Sequence, residues 1–287
     1  MAKGVVLVTG ASSGLGLVTA VYLAQRGFQV YATMRDLQRR EHLEAEARRC
    51  NVQLDVLQLD ITDAHSIQRT VGTVLTHAGT IHGLVNNAGI QLRGYFEDLA
   101  DAEVRSVFAT NVFGTMAVTR AVLPYMRAAR GGRIVLVTSI GGRIGSMALS
   151  AYCASKFALE GFGEALALEA KLLGIDVVLV EPAIIKTDIW TTNRGTARAA
   201  LDPSSPYAAW FRETEQLANS LVASAPTIPE DVARTVYRAL TVRHPRWHYV
   251  VGRRARLLLT LRHYLPGELF ERLYFSAVIR RVTRPNQ

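Results

Sequence analysis

Tyr152 and Lys156 stand four residues apart in the stretch SAYCASKFALEGF, and Ser139 lies 13 residues ahead of the tyrosine. At a spacing of four, a phenol and an ammonium share one face of a helix. An unperturbed tyrosine has a pKa of about 10, too high to give and take a proton freely near neutrality. A neighbouring ammonium stabilises the phenolate and lowers that value, so the pair suits acid/base work on an oxygen atom. A serine hydroxyl beside it would hold that oxygen and stabilise charge developing there. Most Tyr/Lys pairs at this spacing are incidental, the tyrosine half-buried and the lysine solvated. What surrounds the pair decides between the two readings.

The first surrounding feature is VLVTGASSGLGLVTAVYLAQRG, where an apolar strand runs through a glycine-rich turn into a helical pattern. Gly10, Gly14 and Gly16 permit a tight turn and close backbone approach, and the free N–H groups at the helix start suit a pyrophosphate. A plain strand-to-helix loop is the alternative, but the strand–turn–helix order is the one a dinucleotide site requires. Ser12, Ser13 and Leu15 complete the turn, with a serine hydroxyl available to a phosphate. At the end of the second strand an acidic residue would select NAD(H) and a basic one would accommodate the 2′-phosphate of NADP(H). Here Arg35 precedes Asp36 in VYATMRDL, which favours NADP(H) over NAD(H). Asp60 and Ile61 fall at the adenine edge, and Asn87, Ala88 and Gly89 fall near the middle of the cofactor.

The elements that must position these groups follow a regular order. Strand patterns cover residues 4–9, 28–33, 56–60, 83–86, 132–139, 175–182 and 247–252, and helix-length segments separate most of them. Among these are a long helical region over 102–129 and another over 152–173. Such alternation implies βαβ crossovers, and continuous Val/Leu/Ile strands imply a parallel sheet covered on both faces. The chain reads as α/β: one doubly wound, Rossmann-type domain with a seven-stranded parallel sheet over residues 1–252, followed by a helical extension over 253–287. Hydrophobic residues make up 49% of the 287 and charged residues 20%, an ordinary globular composition that leaves room for a large core.

Together these residues resemble the short-chain dehydrogenase/reductase family. The matching segments are TGASSGLG (9–16), NNAG (86–89), Asn111 in ATNVFG, Ser139 in LVTSIGG and YCASK (152–156), and the likeness spans about residues 4–252. VYATMRDL also resembles the branch that holds estradiol 17β-dehydrogenases and retinol dehydrogenases. The resemblance implies an oxidoreductase that interconverts a ketone or aldehyde and an alcohol, with Tyr152 as acid/base. Lys156 would lower the tyrosine's pKa and bind the cofactor ribose, Ser139 would hold the substrate oxygen, and Asn111 would anchor a water that extends the proton relay. Pro182, Ile185 and Thr187 would meet the nicotinamide; Ala183 stands where the family commonly has glycine. A homodimer or homotetramer through the helices ending near Ala129 and Leu173 is also implied.

Residues at about 188–228 form an insertion beyond the sixth strand, where substrate loops occur. Met147, Leu149 and Trp190, with Tyr207, Trp210 and Phe211, are candidates to line an apolar cleft, so a hydrophobic steroid-, retinoid- or aryl-like carbonyl compound is expected. The three aromatics of the insertion could instead pack it onto the core. Ten arginines from Arg243 onward face only Glu268 and Glu271, so most of the net charge of +9 belongs to the tail. Its two amphipathic pieces, split at Pro266-Gly267, suit docking beside the cleft, peripheral contact with an anionic membrane, or packing on the domain or a partner. Nucleic acid is not expected, for want of any recognised module. No His/Cys spacing indicates a metal. No leader is apparent, and Cys50 and Cys153 suggest no disulfide, so a cytoplasmic setting is expected. Readings left open are a non-catalytic nucleotide-binding sensor or scaffold, and an NAD-dependent alcohol dehydrogenase of the same family.

Overall fold

In VVLV (Val5–Val8, β1) all four residues are buried, yet they serve two different cores. Val6 and Val8 face one hydrophobic cluster and Val5 and Leu7 the other. A strand covered on both faces has no polar side, which is why the sequence shows an unbroken apolar run. The computed structural model describes residues 3–186 and 195–283. Gln29–Met34 (β2), Asp55–Gln58 (β3), Gly83–Asn86 (β4), Gly132–Val137 (β6), Ile175–Pro182 (β7) and His248–Val251 (β9) join β1 in a seven-stranded sheet ordered β3-β2-β1-β4-β6-β7-β9. Every pairing is parallel. A separate two-residue ladder pairs Leu92–Arg93 (β5) with Gly195–Thr196 (β8).

The chain moves outward from β1 to β3 and then returns to place β4 on the other side of β1. The loops after β1 and β4 therefore diverge at a switch point, where open α/β sheets bind their ligands. Gly14–Gln25 (α1) and Pro229–Thr241 (α8) pack on one face; Ala64–Ala78 (α3), Thr115–Ala128 (α5) and Ser150–Lys171 (α6) pack on the other. Proline at the first turn of α8 needs no N–H partner. At the end of α3, Gly79 takes φ +72°, a left-handed cap open to glycine at no steric cost.

Several expected boundaries shift. The third strand ends at Gln58, so Asp60 lies beyond it rather than closing it. Arg40–Arg49 (α2) had no strong apolar signal, since only Leu43 and Ala47 are buried. The expected continuous helix at 102–129 is Asp101–Phe108 (α4), a six-residue π-helical stretch Ala109–Gly114, and then α5. By length and hydropathy Asp101–Ala128 could cross a bilayer, but Val107, Val112, Val118, Val122 and Met126 bury themselves in the protein. Within the insertion, Ala208–Ala223 (α7) is a helix. The tail forms Arg253–Tyr264 (α9) and Gly267–Thr283 (α10), and α10 lies against α7.

Candidate functional site

The glycines of the first turn are set by the turn's own packing. A Cβ on Gly16 would come within 2.1 Å of the Gly10 carbonyl oxygen, and one on Gly10, at φ +70°, within 2.7 Å of the Ala88 backbone. Gly14 also has positive φ, at +54°. Asn87 locks the β4 loop to this turn: its Nδ2 donates to the carbonyls of Thr9 and Gly10 at 3.0 and 3.1 Å. The Thr9 hydroxyl accepts from the amides of Asn87 and Ala88. The two loops at the switch point thus form one rigid rim at the start of α1, where unpaired helix N–H groups collect.

That rim opens onto a cleft of about 460 Å³. Gly10, Ser12, Ser13, Gly14, Leu15 and Gly16 line it, together with Asn87, Ala88, Gly89, Tyr152 and Lys156. Arg35, Asp60 and Ile61 line it too. Asp60 Oδ1 accepts from the amide and hydroxyl of Thr62 at 2.9 and 2.7 Å. Asp36 accepts from the Gln38 amide at 2.9 Å and caps the short turn that follows. Arg39, four residues beyond Arg35 at the end of the short turn Leu37–Arg39, also lines the cleft; the run MRDLQRR carries that signal in its added basic residues.

Asn111 lines neither cavity. It sits fully buried in the π-helical stretch, behind Gly89 and Ile90. Its Oδ1 accepts from the Ile90 amide at 2.8 Å, and its Nδ2 donates to the Ile90 carbonyl and to Ser155 Oγ, both at 2.9 Å. The extra residue in a π turn re-aims side chains from the α-helical stripe, a device common at functional sites.

A second cavity, of about 760 Å³, abuts the first, and Leu15, Thr138 and Tyr152 belong to both. Ser139, Met147 and Leu149 line it. Pro182 and Ile185, expected at the cofactor, line this cavity rather than the cleft. Thr187 and Trp190 lie outside the described residues. Tyr207, Trp210 and Phe211 do not line it. Tyr207 stacks on Tyr95 at 5.0 Å, Trp210 is half exposed, and Phe211 packs with Ala148, Ala197 and Ala200. They hold the insertion onto the segment after β5. The apolar walls come instead from Leu217, Leu221, Tyr274, Phe275, Val278 and Ile279, on α7 and α10. The tail is therefore part of the cavity, a role that amphipathic periodicity alone cannot distinguish from other kinds of packing.

At the junction, Ser139 Oγ accepts from the Gly141 amide at 3.0 Å and shares a hydrogen bond with the Tyr152 phenol. Lys156 is buried, donates to the Val137 carbonyl at 3.1 Å, and has its Nζ 5.8 Å from the centre of the Tyr152 ring. The expected lowering of the tyrosine does not occur in the protein alone. Burial pushes Tyr152 up to about 12, outweighing the Ser139 hydrogen bond. Burial likewise pulls Lys156 down to about 8, against the upward pull of Glu160. Both groups resist charging for the same reason, desolvation.

Behind Lys156 lies a polar cluster unseen in the sequence. Glu160, Glu181 and His248 bring their ligand atoms within 4.8 Å of one another. Arg143 Nη1 stands 3.0 Å from Glu181, and His248 Nδ1 stands 2.6 Å from it, so these cations already answer the carboxylates.

The short chain dehydrogenase family model matches residues 4–198. The chain is 37% identical to human 17-beta-hydroxysteroid dehydrogenase type 1 over 91% of its length and 81% of that protein's. It is also 37% identical to human retinol dehydrogenase 8, over 84% of its length and 78% of that protein's. A crystal structure of a short-chain dehydrogenase from Streptomyces avermitilis superposes with a TM-score of 0.79 at 32% identity, covering 97% of this chain and 99% of that one. Six of the seven strands of the main sheet, the glycine turn and the Ser139–Tyr152–Lys156 arrangement fall within residues 4–198, and the chain belongs to the short-chain dehydrogenase family of oxidoreductases.

Proposed function

We propose that this protein is an NADP(H)-dependent oxidoreductase that interconverts an apolar ketone or aldehyde and its alcohol. The observation that carries the reading is the position of Tyr152, whose side chain lines both the glycine-walled cleft and the apolar cavity. A cofactor held along Gly10–Gly16, Asn87–Gly89 and Lys156 would supply the hydride. The protein must supply the proton. With its phenol protonated through the neutral range, Tyr152 is poised to donate to a carbonyl oxygen as that oxygen gains charge. Ser139 has its Oγ lone pair engaged by the Gly141 amide, which leaves its O–H for that same oxygen or for the phenol. Lys156 stands behind the ring as the next proton source, and Asn111 fixes the Ile90 backbone beside it.

Two further observations support the finer assignment. Arg35 and Arg39 border the cleft while Asp36 is spent on its own turn, which fits a 2′-phosphate. The second cavity is mostly apolar, and the names of the steroid and retinol relatives agree with a lipophilic substrate. Tyr152→Phe should abolish NADPH-linked reduction of a lipophilic ketone panel while NADPH still binds with near-normal affinity, measured by fluorescence titration. Near-normal turnover in that variant would sink the mechanism.

A further inference from the structure

Gln91 lines the apolar cavity and is 4% exposed, yet its Oε1 is shut from solvent and has no hydrogen-bond partner among the described residues. Buried amides are nearly always satisfied, because leaving one unmade costs the desolvation of the group. Two other polar side chains on these walls make bonds within the protein. Arg93 is paired with Glu215, and the Thr214 hydroxyl donates to the Trp210 carbonyl at 2.8 Å.

The backbone that carries this side chain is held in place. Asn111 clamps the residue before it, Ile90, by both amide and carbonyl. On the other side, the Gly195 backbone packs so closely that a Cβ there would come within 2.3 Å of the Gln91 carbonyl oxygen. Gln91 therefore stands on a fixed stretch of backbone, two residues from Gly89 of the cleft, on a wall that is mostly apolar. Polar groups so placed are where a binding site gains its selectivity.

We infer that Gln91 reads a hydroxyl group on the substrate, separate from the reacting carbonyl, so that the preferred substrates are apolar carbonyl compounds bearing such a hydroxyl. A hydroxyl fits because it can donate to Oε1 and accept from Nε2, matching both halves of the amide. An apolar compound without it leaves the amide unpaired, and a site built to hydrogen-bond a hydroxyl discriminates strongly against the analogue that lacks it. The inference rests on the proposed oxidoreductase reading for the chemistry but not for the binding.

The test compares 1-tetralone with its ring-hydroxylated isomers, in the wild type and in Gln91→Leu, by ligand-induced melting shift and by NADPH-linked kcat/KM. In the wild type, at least one hydroxylated isomer should bind and react better than the parent by about tenfold or more. In Gln91→Leu that preference should collapse to about parity. The ligand-free variant should melt no lower than the wild type, since replacing an unpartnered buried amide by a hydrocarbon removes a cost. No preference in the wild type, or a preference that survives in the variant, overturns the inference. A binding preference that disappears with Gln91 while no ketone is reduced supports the inference and rejects the oxidoreductase reading.

Discussion

The end of β2 puts two guanidinium groups and one carboxylate at the same cleft, and the bonds each already makes separate their roles. Asp36 Oδ1 is committed to the Gln38 amide, so its carboxylate is turned toward the chain rather than toward a ribose. Arg35 and Arg39 are both exposed at the rim, four residues apart. A charge-assisted hydrogen bond contributes about 1.5–3 kcal/mol, less at an exposed and screened position. Arg35→Ala combined with Arg39→Ala should therefore raise KM for NADPH by about tenfold or more and leave KM for NADH within about twofold. Steady-state kinetics with both cofactors checks this, and equal losses for the two would remove the arginines from 2′-phosphate recognition. At this scale the sequence was most informative where backbone geometry dictates residue type: Gly10 and Gly16 tolerate no Cβ, so their spacing is visible as a motif. Gln91 left no such mark, because its importance lies in a bond it does not make.

The elements around the site were legible in proportion to how far local pattern controls them. Strands buried on both faces announced themselves, whereas α7 did not, since its fit depends on a partner far away in sequence. That partner is Arg93, almost fully buried on β5 and joined to Glu215 of α7 across a separation of 122 residues. Burial pulls the Arg93 guanidinium down to about 10, a sign of how poorly solvated it is. The π turn escaped for a related reason: ATNVFG keeps a helix-like apolar spacing, and only the Asn111 bonds to Ile90 reveal why the turn is widened. Removing one member of a buried pair strands the other charge and typically costs about 3–5 kcal/mol, whereas replacing both with hydrocarbon is often neutral. Glu215→Ala should accordingly destabilise the fold by an amount in that range and loosen α7 over the cavity. Arg93→Met with Glu215→Leu should recover most of the stability. Urea unfolding of the three proteins reads the outcome, and a Glu215→Ala variant as stable as the wild type would show that the pair does not anchor α7.

Across the whole molecule, His248 ties the last strand to the helix that carries the candidate catalytic pair. It sits on β9, contacts Glu181 on β7 at 2.6 Å, and reaches Glu160 and Glu164 on α6 at 3.5 and 3.4 Å, with Arg143 as the second cation. Glu160 lies one turn beyond Lys156 and holds the ammonium's pKa up against burial, so this network stands directly behind the site. The hydrogen bonds to Glu160 and Glu181 raise His248 to about 9, against its ordinary value of 6.5, despite partial desolvation. A folded-state pKa above the unfolded one means that the protonated form stabilises the fold. That contribution is fully present below about pH 6.5 and fades as pH rises through about 9. With the ring partly open to solvent, the loss should be about 1–2 kcal/mol rather than the full value implied by the shift. Unfolding free energies measured from pH 6 to pH 10 should fall in the wild type by that amount more than in His248→Gln, which keeps a hydrogen-bonding side chain but cannot take up the proton. Parallel curves for the two proteins would mean that Arg143 alone balances the carboxylates. A wild-type excess would establish that a proton on the last strand helps hold α6, and with it Lys156, against the sheet.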